Sequence, residues 1–426
     1  MDDAAARDLL KLVGTWEGFE VVGVTEEASP DGDVFGLPAP RVVLVLQPKA
    51  DHVKRCSTCG APVEKIHDVS ERRVRDLPLG EWDTWLVFPR ARVACPRCGP
   101  TVEAVAWLDR YQRMTTRLAE KIARMAQTSA ISHVAAWFRV SWDTVKQIDQ
   151  RALTQRLGAM EDRLDGVRQI AIDEFAIQRG HRYVTIVLDL PTKRVLWLSR
   201  GRDQAALTGF FTALGPARCA QLEAVAVDMW APYAAEVRTH CPHAQLVYDL
   251  FHIVAKFGHE VIDRVRVDET NRLASAAGPG ATRDARRVIK GARWLLLRNR
   301  GHLHTREERV RLRELLRANR ALFTVYVLKD DLKQLWQYRS RAAAHLFWLD
   351  WKRRALASGL PALRTFTRML ERHLDGILSH CRYPINSGVL EGCNNKIKVL
   401  KRVAYGYRDD AYFFLKIRAA FPGITG

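Results

Sequence analysis

Apolar and polar residues alternate in two segments near the start of the chain. This alternation predicts β-strands over Gly18–Glu26 and Arg41–Pro48, after a short helix at the amino terminus. A turn rich in Pro, Gly and Asp separates the two strands. The pattern indicates a small β module but no function.

Between residues 115 and 155 the apolar residues recur at helical spacing. The pattern predicts helices over Thr115–Gln127, Ile131–Phe138 and Trp142–Leu153, with Ser141 as the N-cap of the third. Two short helices joined by a tight turn predict a helix-turn-helix that binds DNA. A packing module without a DNA contact is the alternative.

From residue 167 onward, short apolar strands alternate with amphipathic helices. Three strands, a helix, a strand, a helix and a strand follow one another, which is the order of the RNase H-like fold. The predicted strands are Arg168–Ala176, Arg182–Leu190, Val195–Arg200, Ala224–Met229 and Ala244–Asp249, and the helices are Asp203–Leu214 and Ala231–His240. A long helical, Arg-rich stretch reaches about residue 380, and Gly388–Val403 is the last predicted helix.

The positive charge of the chain favours a polyanionic partner, most often nucleic acid. Its 426 residues carry a formal charge of +19. Residues 282–320 contain 13 Lys/Arg against 4 Asp/Glu, and residues 382–418 contain 8 against 3. A solvated helix face is the alternative for such stretches. Neither a signal peptide nor a transmembrane segment is indicated, so we expect a cytoplasmic protein, associated with the nucleoid when bound to DNA.

Two Cys-x-x-Cys pairs predict one structural zinc site. Cys56 with Cys59, and Cys95 with Cys98, are each followed by glycine, which permits the positive φ of a metal knuckle. Residues 60–94 separate the pairs and include predicted strands, such as Thr84–Phe88, that could return the second pair to the first. A redox role is the alternative, but two matched pairs argue against it.

Two aspartates lie in otherwise apolar strands. Asp173 follows Ile170-Ala-Ile, and Asp228 ends the strand Ala224-Val-Ala-Val. A buried carboxylate needs a partner or a metal. Phosphodiester transfer uses two Mg²⁺ ions held by carboxylates that converge from different elements. Capping of the next helix is the alternative for Asp228.

One face of the last predicted helix combines an acid, two amides and two cations. Residues three, four, seven and eleven positions after Glu391 share its face. They are Asn394, Asn395, Lys398 and Arg402. Such a face suits a metal site beside a DNA backbone, because amides orient phosphates and cations neutralise them. A solvated face is the alternative.

Several of these strings together resemble one protein family. Ile172-Asp173-Glu174-Phe175-Ala176 with Gly180-His181-Arg182-Tyr183-Val184-Thr185 resembles the first catalytic strand and hairpin of the ISL-three family of bacterial insertion-sequence transposases. Ala226–Trp230, Asp249–His252, and the segment from Leu390 through Lys401-Arg402 to Gly406-Tyr407-Arg408 are similar to later motifs of that family. The family favours Pro after the first zinc-module cysteine, where this chain has Ser57.

The resemblance implies a function and a set of functional residues. It implies DNA cleavage and strand transfer by Asp173, Asp228 and Glu391, with two Mg²⁺ ions that Mn²⁺ can replace. It also implies recognition of terminal inverted repeats by the zinc module and helix-turn-helix, in a homodimer. The candidate DNA contacts are Asn394, Asn395, Lys398, Arg402, Tyr407, Arg408 and, in the helix-turn-helix, Lys146.

The predicted fold class is multidomain α+β and α/β, in five parts. These are a zinc-binding β module (1–110), a helix-turn-helix (111–165), an RNase H-like catalytic core (166–258), an all-helical insertion (259–380) and a C-terminal catalytic helix that completes the core (381–426). The 163 positions from Asp228 to Glu391 imply the insertion, whose arginines we expect to grip DNA.

Two other functions and several residue roles stay open at this point. A transposase-derived repressor or scaffold would keep the motifs without nuclease activity, and an RNase H-like nuclease would cut without strand transfer. Direct roles for Glu174, Asp249 and His252 are less favoured than structural hydrogen bonding. The tryptophans of the insertion could stack on a flipped base, but core positions are favoured; they are Trp294, Trp336, Trp348 and Trp351.

Overall fold

The computed structural model describes most of the chain in two compact units. One unit comprises Met1–Gly158 with Val399–Ala419, and the other comprises Ala159–Lys398 with Ala420–Gly426. The described residues are 15–28, 40–159, 161–178, 182–276, 287–298, 300–303, 305–385 and 388–424. The predicted amino-terminal helix, and Gly180, His181, Asn386 and Ser387 of the family motifs, lie outside them.

The first unit contains a five-stranded sheet with one apolar face. The order is β1-β2-β4-β3, with β5 paired to β4, and only the β2–β4 pair is parallel. Leu44, Leu86 and Phe88 alternate with outward residues and pack into the core of this unit. The strands are β1 (Phe19–Glu27), β2 (Arg41–Pro48), β3 (Ile66–Arg75), β4 (Asp83–Cys95) and β5 (Gly99–Val102).

Three helices follow this sheet in the first unit and match the predicted helix-turn-helix pattern. They are α1 (Thr116–Ala126), α2 (Ile131–Phe138) and α3 (Trp142–Leu157). Ser141 caps α3 as predicted, because its Oγ accepts a hydrogen bond of 3.1 Å from the amide of Thr144.

A buried ion cluster joins the turn of the helix-turn-helix to the sheet. Arg139 ends α2 in the left-handed conformation, with φ of 49°, which costs a non-glycine residue about 1–2 kcal/mol. Its guanidinium bonds both carboxylate oxygens of Asp83, at 2.8 and 2.6 Å. Arg75 also pairs with Asp83, at 3.0 Å, and donates to the carbonyl of Phe138 at 2.7 Å. These contacts hold the turn in a conformation that its own backbone disfavours.

The last helix, α16 (Asp410–Ala420), packs within the first unit. Asp149 on α3 is fully buried and accepts hydrogen bonds from Tyr412 at 2.5 Å, Lys416 at 3.0 Å and Gln127 at 2.5 Å. Lys416 also donates to the carbonyl of Ala126 at 2.6 Å. The buried charge of Asp149 is thus satisfied by residues 263 and 267 positions later in the chain.

The second unit contains a mixed five-stranded sheet in the order β10-β9-β6-β7-β8. Strands β6, β7 and β8 pair antiparallel, whereas β9 and β10 add in parallel beside β6. All five strands were predicted to within a few residues. They are β6 (Gln169–Gln178), β7 (Arg182–Asp189), β8 (Arg194–Arg200), β9 (Ala224–Val227) and β10 (Gln245–Tyr248).

Helices form the remainder of the second unit, which makes the whole chain a mixed α+β protein. Trp348 and Trp351 are core residues, as favoured by the sequence, whereas Trp294 is exposed. None of the described helices has the length and apolar character needed to cross a membrane. The helices are α4 (Gln204–Leu214), α5 (Pro216–Cys219), α6 (Ala231–His240), α7 (Leu250–Phe257), α8 (Asp263–Ala276), α9 (Arg293–Leu297), α10 (Arg306–Ala318), α11 (Arg320–Gln334), α12 (Arg341–Ala357), α13 (Pro361–Arg372), α14 (Leu374–Leu378) and α15 (Gly388–Val403). The residues of α15 from Val399 onward are counted with the first unit.

Candidate active site and zinc site

Asp173 lies on β6, and Asp228 directly follows β9, the parallel strand beside it. Ala171 on β6 pairs with Ala226 on β9, and Asp173 and Asp228 each follow two residues later. The two aspartates therefore occupy corresponding positions along two neighbouring segments of the chain. Asp228 comes directly after the last residue of β9, at the edge where the strand ends.

Asp173 is held by two hydrogen bonds. Its Oδ1 accepts a hydrogen bond of 2.8 Å from the amide of Glu174, and its Oδ2 accepts one of 2.8 Å from Nδ2 of Asn394 on α15. Burial raises the pKa of Asp173, although both hydrogen bonds favour the charged form. The side chain is thus oriented from two directions.

Asp228 has one backbone donor. Its Oδ1 accepts 3.0 Å from the amide of Trp230, and burial raises the pKa of this carboxyl group. Among the described residues, Asp228 forms no ion pair with Lys, Arg or His within 4 Å. A half-buried carboxylate without a close ion-pair partner has the character of a metal ligand.

His252 and Asp249 form a pair beside Asp173. Nδ1 of His252 lies 3.3 Å from Oδ2 of Asp249, and Nε2 lies 4.0 Å from Oδ1 of Asp173. The contact with Asp249 raises the pKa of His252 to about 8. Asp249 also caps α7 by accepting 3.0 Å from the amide of Phe251. Its contacts are therefore those of a capping and orienting residue.

Glu174 interacts with the aspartates through charge. It lies opposite Thr185 on β7, whose hydroxyl is 2.8 Å from the hydroxyl of buried Tyr233 on α6. Burial, and then the charges of Asp228 and Asp173, raise the pKa of Glu174 to about 7. Glu174 is thus close enough to the two aspartates for their charges to act on it.

Arg202 was not found by reasoning from the sequence. Its guanidinium carbon lies 4.7 Å from the ring centre of Tyr183 and 5.4 Å from that of Trp230. The indole of Trp230 donates to the carbonyl of Arg202 at 3.1 Å. The charge of Arg202 opposes the rise in the pKa of Asp228 that burial causes. Only its place in a short loop after an apolar strand marks it in the sequence.

The helix α15 contributes to the site through Asn394. Oδ1 of Asn394 is buried without a hydrogen-bond partner in the described part of the chain, while Nδ2 bonds Asp173. Glu391 lies on the same helix face, three residues earlier, and is exposed. Asn395 and Lys398 are also exposed and contact each other at 3.5 Å.

The three acidic residues do not converge closely in this structure. Within the described ranges, only the four cysteines form a group of three or more His, Cys, Asp or Glu side chains whose ligand atoms all lie within 4.8 Å of one another. Asp173, Asp228 and Glu391 are therefore farther apart than that as a set.

The other candidate DNA contacts differ in accessibility. Arg402 and Arg408 are exposed. Lys146 pairs with Asp409 at 2.8 Å, which competes with a phosphate contact. Tyr407 stacks on Phe413 with ring centres 4.4 Å apart, and burial raises its pKa to about 12.

The four cysteines form a compact set of thiols. Cys56, Cys59, Cys95 and Cys98 lie within 4.8 Å of one another, and Cys59 Sγ is 3.7 Å from Cys95 Sγ. Zn–S bonds of about 2.3 Å in a tetrahedral site require sulfurs about 3.8 Å apart.

The backbone around the cysteines has the predicted form. Gly60 and Gly99 have φ of 71° and 73°. The antiparallel β3–β4 pair returns the second cysteine pair to the first, as expected from the strands between them. A hydrogen bond from the amide of Cys59 lowers the pKa of Cys56 to about 6, whereas the hydrogen bond with the Cys59 thiol raises the pKa of Cys98. Zinc binds the thiolate form of these side chains.

Comparison with known proteins identifies the family of the chain. A family model described as a transposase of the ISL3 type matches residues 170–417, more than half of the chain. The chain belongs to transposase family ISL3. The helix-turn-helix domain of the ISL3 family matches residues 103–153, and a zinc-finger model of related transposases, named for IS204/IS1001/IS1096/IS1165, matches residues 52–98.

Two relatives of this ISL3 chain agree with the family assignment. The transposase for insertion sequence element IS1001 of Bordetella parapertussis is 46% identical over 98% of each chain. The transposase for IS1557 of Mycobacterium tuberculosis is 30% identical over 86% of each chain. The ISL3 chain is thus a DNA-processing enzyme, and the zinc-finger match with the four-thiol cluster supports a structural zinc.

Proposed function

We propose that the chain is a DDE-type transposase that cuts DNA at the ends of an insertion sequence and joins those ends to target DNA. Asp173, Asp228 and Glu391 are the proposed metal-binding triad. The observation that carries the proposal is that Asp173 and Asp228 each lie two residues beyond the paired residues Ala171 and Ala226, with Asn394 hydrogen-bonded to Asp173.

The proposal includes an RNase H-like catalytic core. Three antiparallel strands followed by two parallel ones, in the order β10-β9-β6-β7-β8, support this inference. We assign the core to residues 166–258 and a helical insertion to 259–380. The remaining parts are the zinc module (1–110), the helix-turn-helix (111–165) and the segment 381–426, in which α15 is the catalytic helix and α16 packs in the first unit.

The residues of the site fit divalent metal ions. Asp173 and Asp228 are half-buried carboxylates, and the amide Oδ1 of Asn394 is a buried acceptor without a donor among the described residues. Mg²⁺, or Mn²⁺ in its place, prefers such oxygen ligands. Bound there, a pair of ions would activate the attacking hydroxyl and stabilise the leaving oxygen.

The side chains around the triad position it and balance its charge. Asn394 and the amide of Glu174 orient Asp173, and the amide of Trp230 orients Asp228. Arg202 is placed to contact a DNA phosphate while its charge offsets that of the carboxylates.

Two successive displacements account for the reaction. Water attacks a phosphodiester at the element end, the P–O bond breaks, and a 3′-hydroxyl is released. That hydroxyl then attacks a target phosphodiester and displaces a second 3′-oxygen, so no covalent bond to the enzyme is needed. Glu391 shares a helix face with Asn394, and we propose that DNA and metal binding bring it to the two aspartates.

The rest of the proposed function concerns DNA ends. The zinc module and the helix-turn-helix recognise the terminal inverted repeats, and exposed Arg402 and Arg408 contact the backbone. Joining two ends requires two catalytic centres, so we propose a homodimer. Its mass in solution, with and without terminal-repeat DNA, tests this part alone.

The test uses the full chain and a labelled duplex that carries the terminal repeat. We expect Mg²⁺-dependent cleavage and the joining of a precut end into plasmid DNA. Metal ligation supplies several kcal/mol, so Asp173→Asn and Glu391→Gln should each lower the cleavage rate about 10³-fold. The matched control Asp165→Asn changes an exposed aspartate and should leave the rate unchanged.

Each alternative function gives a different result in this experiment. No cleavage by the wild type would favour a DNA-binding repressor or scaffold. Cleavage without joining would favour a nuclease. Wild-type cleavage by Glu391→Gln would remove that residue from the triad.

A further inference from the structure

An open groove of about 950 Å³ lies between the sheet and the helix-turn-helix of the first unit. The side chains along it include one acidic residue, Asp83, and Trp85. We name it the arginine groove because six arginines line it. They are Arg41, Arg72, Arg73, Arg75, Arg113 and Arg139. This excess of positive charge suits a polyanion.

Alternation along the strands accounts for one wall of the groove. Arg75 on β3 is paired with Trp85 on β4, and residues opposite each other in an antiparallel pair share a face. Leu86 and Phe88 point to the apolar core on the other face. The outward face of this sheet therefore carries cations along the groove, although solvent exposure alone would permit any polar residue there.

Trp85 is the centre of this face. The guanidinium carbons of Arg73, Arg41 and Arg75 lie 4.9, 5.7 and 5.7 Å from its ring centre. Such stacking holds guanidinium groups in place. Nε1 of Trp85 and Nε of Arg75 are buried donors without acceptors among the residues described. A ligand with several acceptor oxygens would complement this wall.

The opposite wall belongs to the third helix of the helix-turn-helix. Ser141, Thr144 and Gln147, at the amino-terminal end of α3, line the groove. Residues at this end of a recognition helix contact base edges in DNA complexes. The groove thus places cations beside the residues that could contact bases.

We propose that the arginine groove binds the phosphate backbone of the same DNA duplex that α3 contacts through its bases. The proposal rests on the proposed DNA-end binding and adds a location and a division of labour. The sheet of the zinc module supplies sequence-independent phosphate contacts, and α3 supplies base contacts.

Arg72 and Arg113 are the most informative residues for a test. Neither forms an ion pair with an acidic side chain in the described part of the chain, whereas Arg75 and Arg139 are committed to Asp83. Their replacement should remove charge without breaking the cluster that supports the turn.

The experiment compares the full chain with its Arg72→Gln/Arg113→Gln variant. Binding of a terminal-repeat duplex and of an unrelated duplex is measured over a series of NaCl concentrations. We expect both affinities to fall by the same factor, roughly tenfold or more at 0.1 M salt. The slope of log K against log salt should decrease by about 1.8, or about 0.9 for each lost phosphate contact.

Three further proteins control for charge, folding and specificity. Lys65→Gln removes an exposed cation outside the groove and should leave the slope unchanged. Arg72→Lys/Arg113→Lys keeps both charges and should retain most of the affinity. Gln147→Ala should reduce the preference for the terminal repeat while keeping the salt slope.

Several outcomes would overturn the proposal. Unchanged binding by the double Gln variant would exclude the groove as a backbone site. A loss confined to the terminal repeat would assign it to base recognition. If millimolar inorganic phosphate displaces DNA equally well from the wild type and from the double Gln variant, and the variant keeps its DNA affinity, the groove is a site for free anions. If the wild type binds both duplexes but cuts neither, the proposed catalytic function is wrong, whereas the proposal for the arginine groove still holds.

Discussion

In the first sheet, arginines and Trp85 line the face turned away from the core. In the second sheet, Asp173 lies on β6 and Asp228 directly follows the neighbouring strand β9, with few cations beside them. Each sheet has five strands, and each packs against an apolar core of its own. The side chains at their polar positions suit opposite ligands, a polyanion in one case and metal cations in the other. A formal charge of +19 is therefore compatible with a metal-binding site, because the arginine groove and the two aspartates lie in different units.

Loss of zinc should affect the first sheet and spare the second. Cys98→Ser removes one of four thiolates, and structural zinc contributes about 10–16 kcal/mol to small modules. We expect zinc content to fall from one ion per chain to none, with at least a 10²-fold loss of DNA affinity. Metal analysis and binding titrations measure both. The control Cys381→Ser, outside the cluster, should keep the zinc. Full DNA affinity of Cys98→Ser without zinc would show that the zinc module is not needed for DNA binding.

The last helix, α16, should contribute to the stability of the first unit. Lys416→Met leaves the buried charge of Asp149 without its cation, and breaking such a pair costs about 3–5 kcal/mol. Hydrogen exchange should show lower protection in α1 and α3, with less change in β6 and β9. Lys65→Met, at an exposed lysine of the first unit, is the control. Equal loss of protection in the strands of the second sheet would contradict this assignment.

Asn394 should act on the chemistry and not on DNA affinity. Its hydrogen bond orients Asp173, and outer residues that orient metal ligands typically contribute 10–100-fold. Asn394→Ala should therefore lower the cleavage rate by that factor at saturating DNA. Asn395→Ala changes the adjacent, exposed amide and should cut at the wild-type rate. Equal effects of the two variants would mean that this helix face acts only on DNA.

Arg202 should contribute less, because it is exposed. A hydrogen bond to a charged group contributes about 1.5 kcal/mol at the lower end, so Arg202→Gln should slow cleavage about tenfold. Arg202→Lys should recover part of the rate. Arg168→Gln, at another exposed arginine of the second unit, serves as the control. An unchanged single-turnover rate for Arg202→Gln would remove it from the site.

The strands and most helices could be predicted because local patterns determine them. Apolar runs located the strands that carry Asp173 and Asp228, and the Cys-x-x-Cys spacing located the thiol cluster. Contacts between distant segments could not be predicted in this way. The pairing of Asp149 with Lys416 spans 267 positions, and the aromatic support of Arg202 joins two loops.

The DNA-contact residues illustrate the same limit. Glycine and aromatic residues near Tyr407 resemble a family motif, but the stacking of Tyr407 on Phe413 depends on the packing of a later helix. Lys146 is a surface lysine by its helical position, yet it pairs with Asp409. A motif indicates which residue types occur together, whereas the tertiary structure decides which side chains are accessible.

The division of labour between the sheets can be tested by single-turnover cleavage of terminal-repeat DNA at saturating DNA concentration. Asp228→Asn should bind DNA like the wild type and lose cleavage about 10³-fold, because its carboxylate supplies metal ligation worth several kcal/mol. Arg72→Gln/Arg113→Gln should need more DNA for saturation and then cut at the wild-type rate. Cleavage by Asp228→Asn at the wild-type rate would contradict the account.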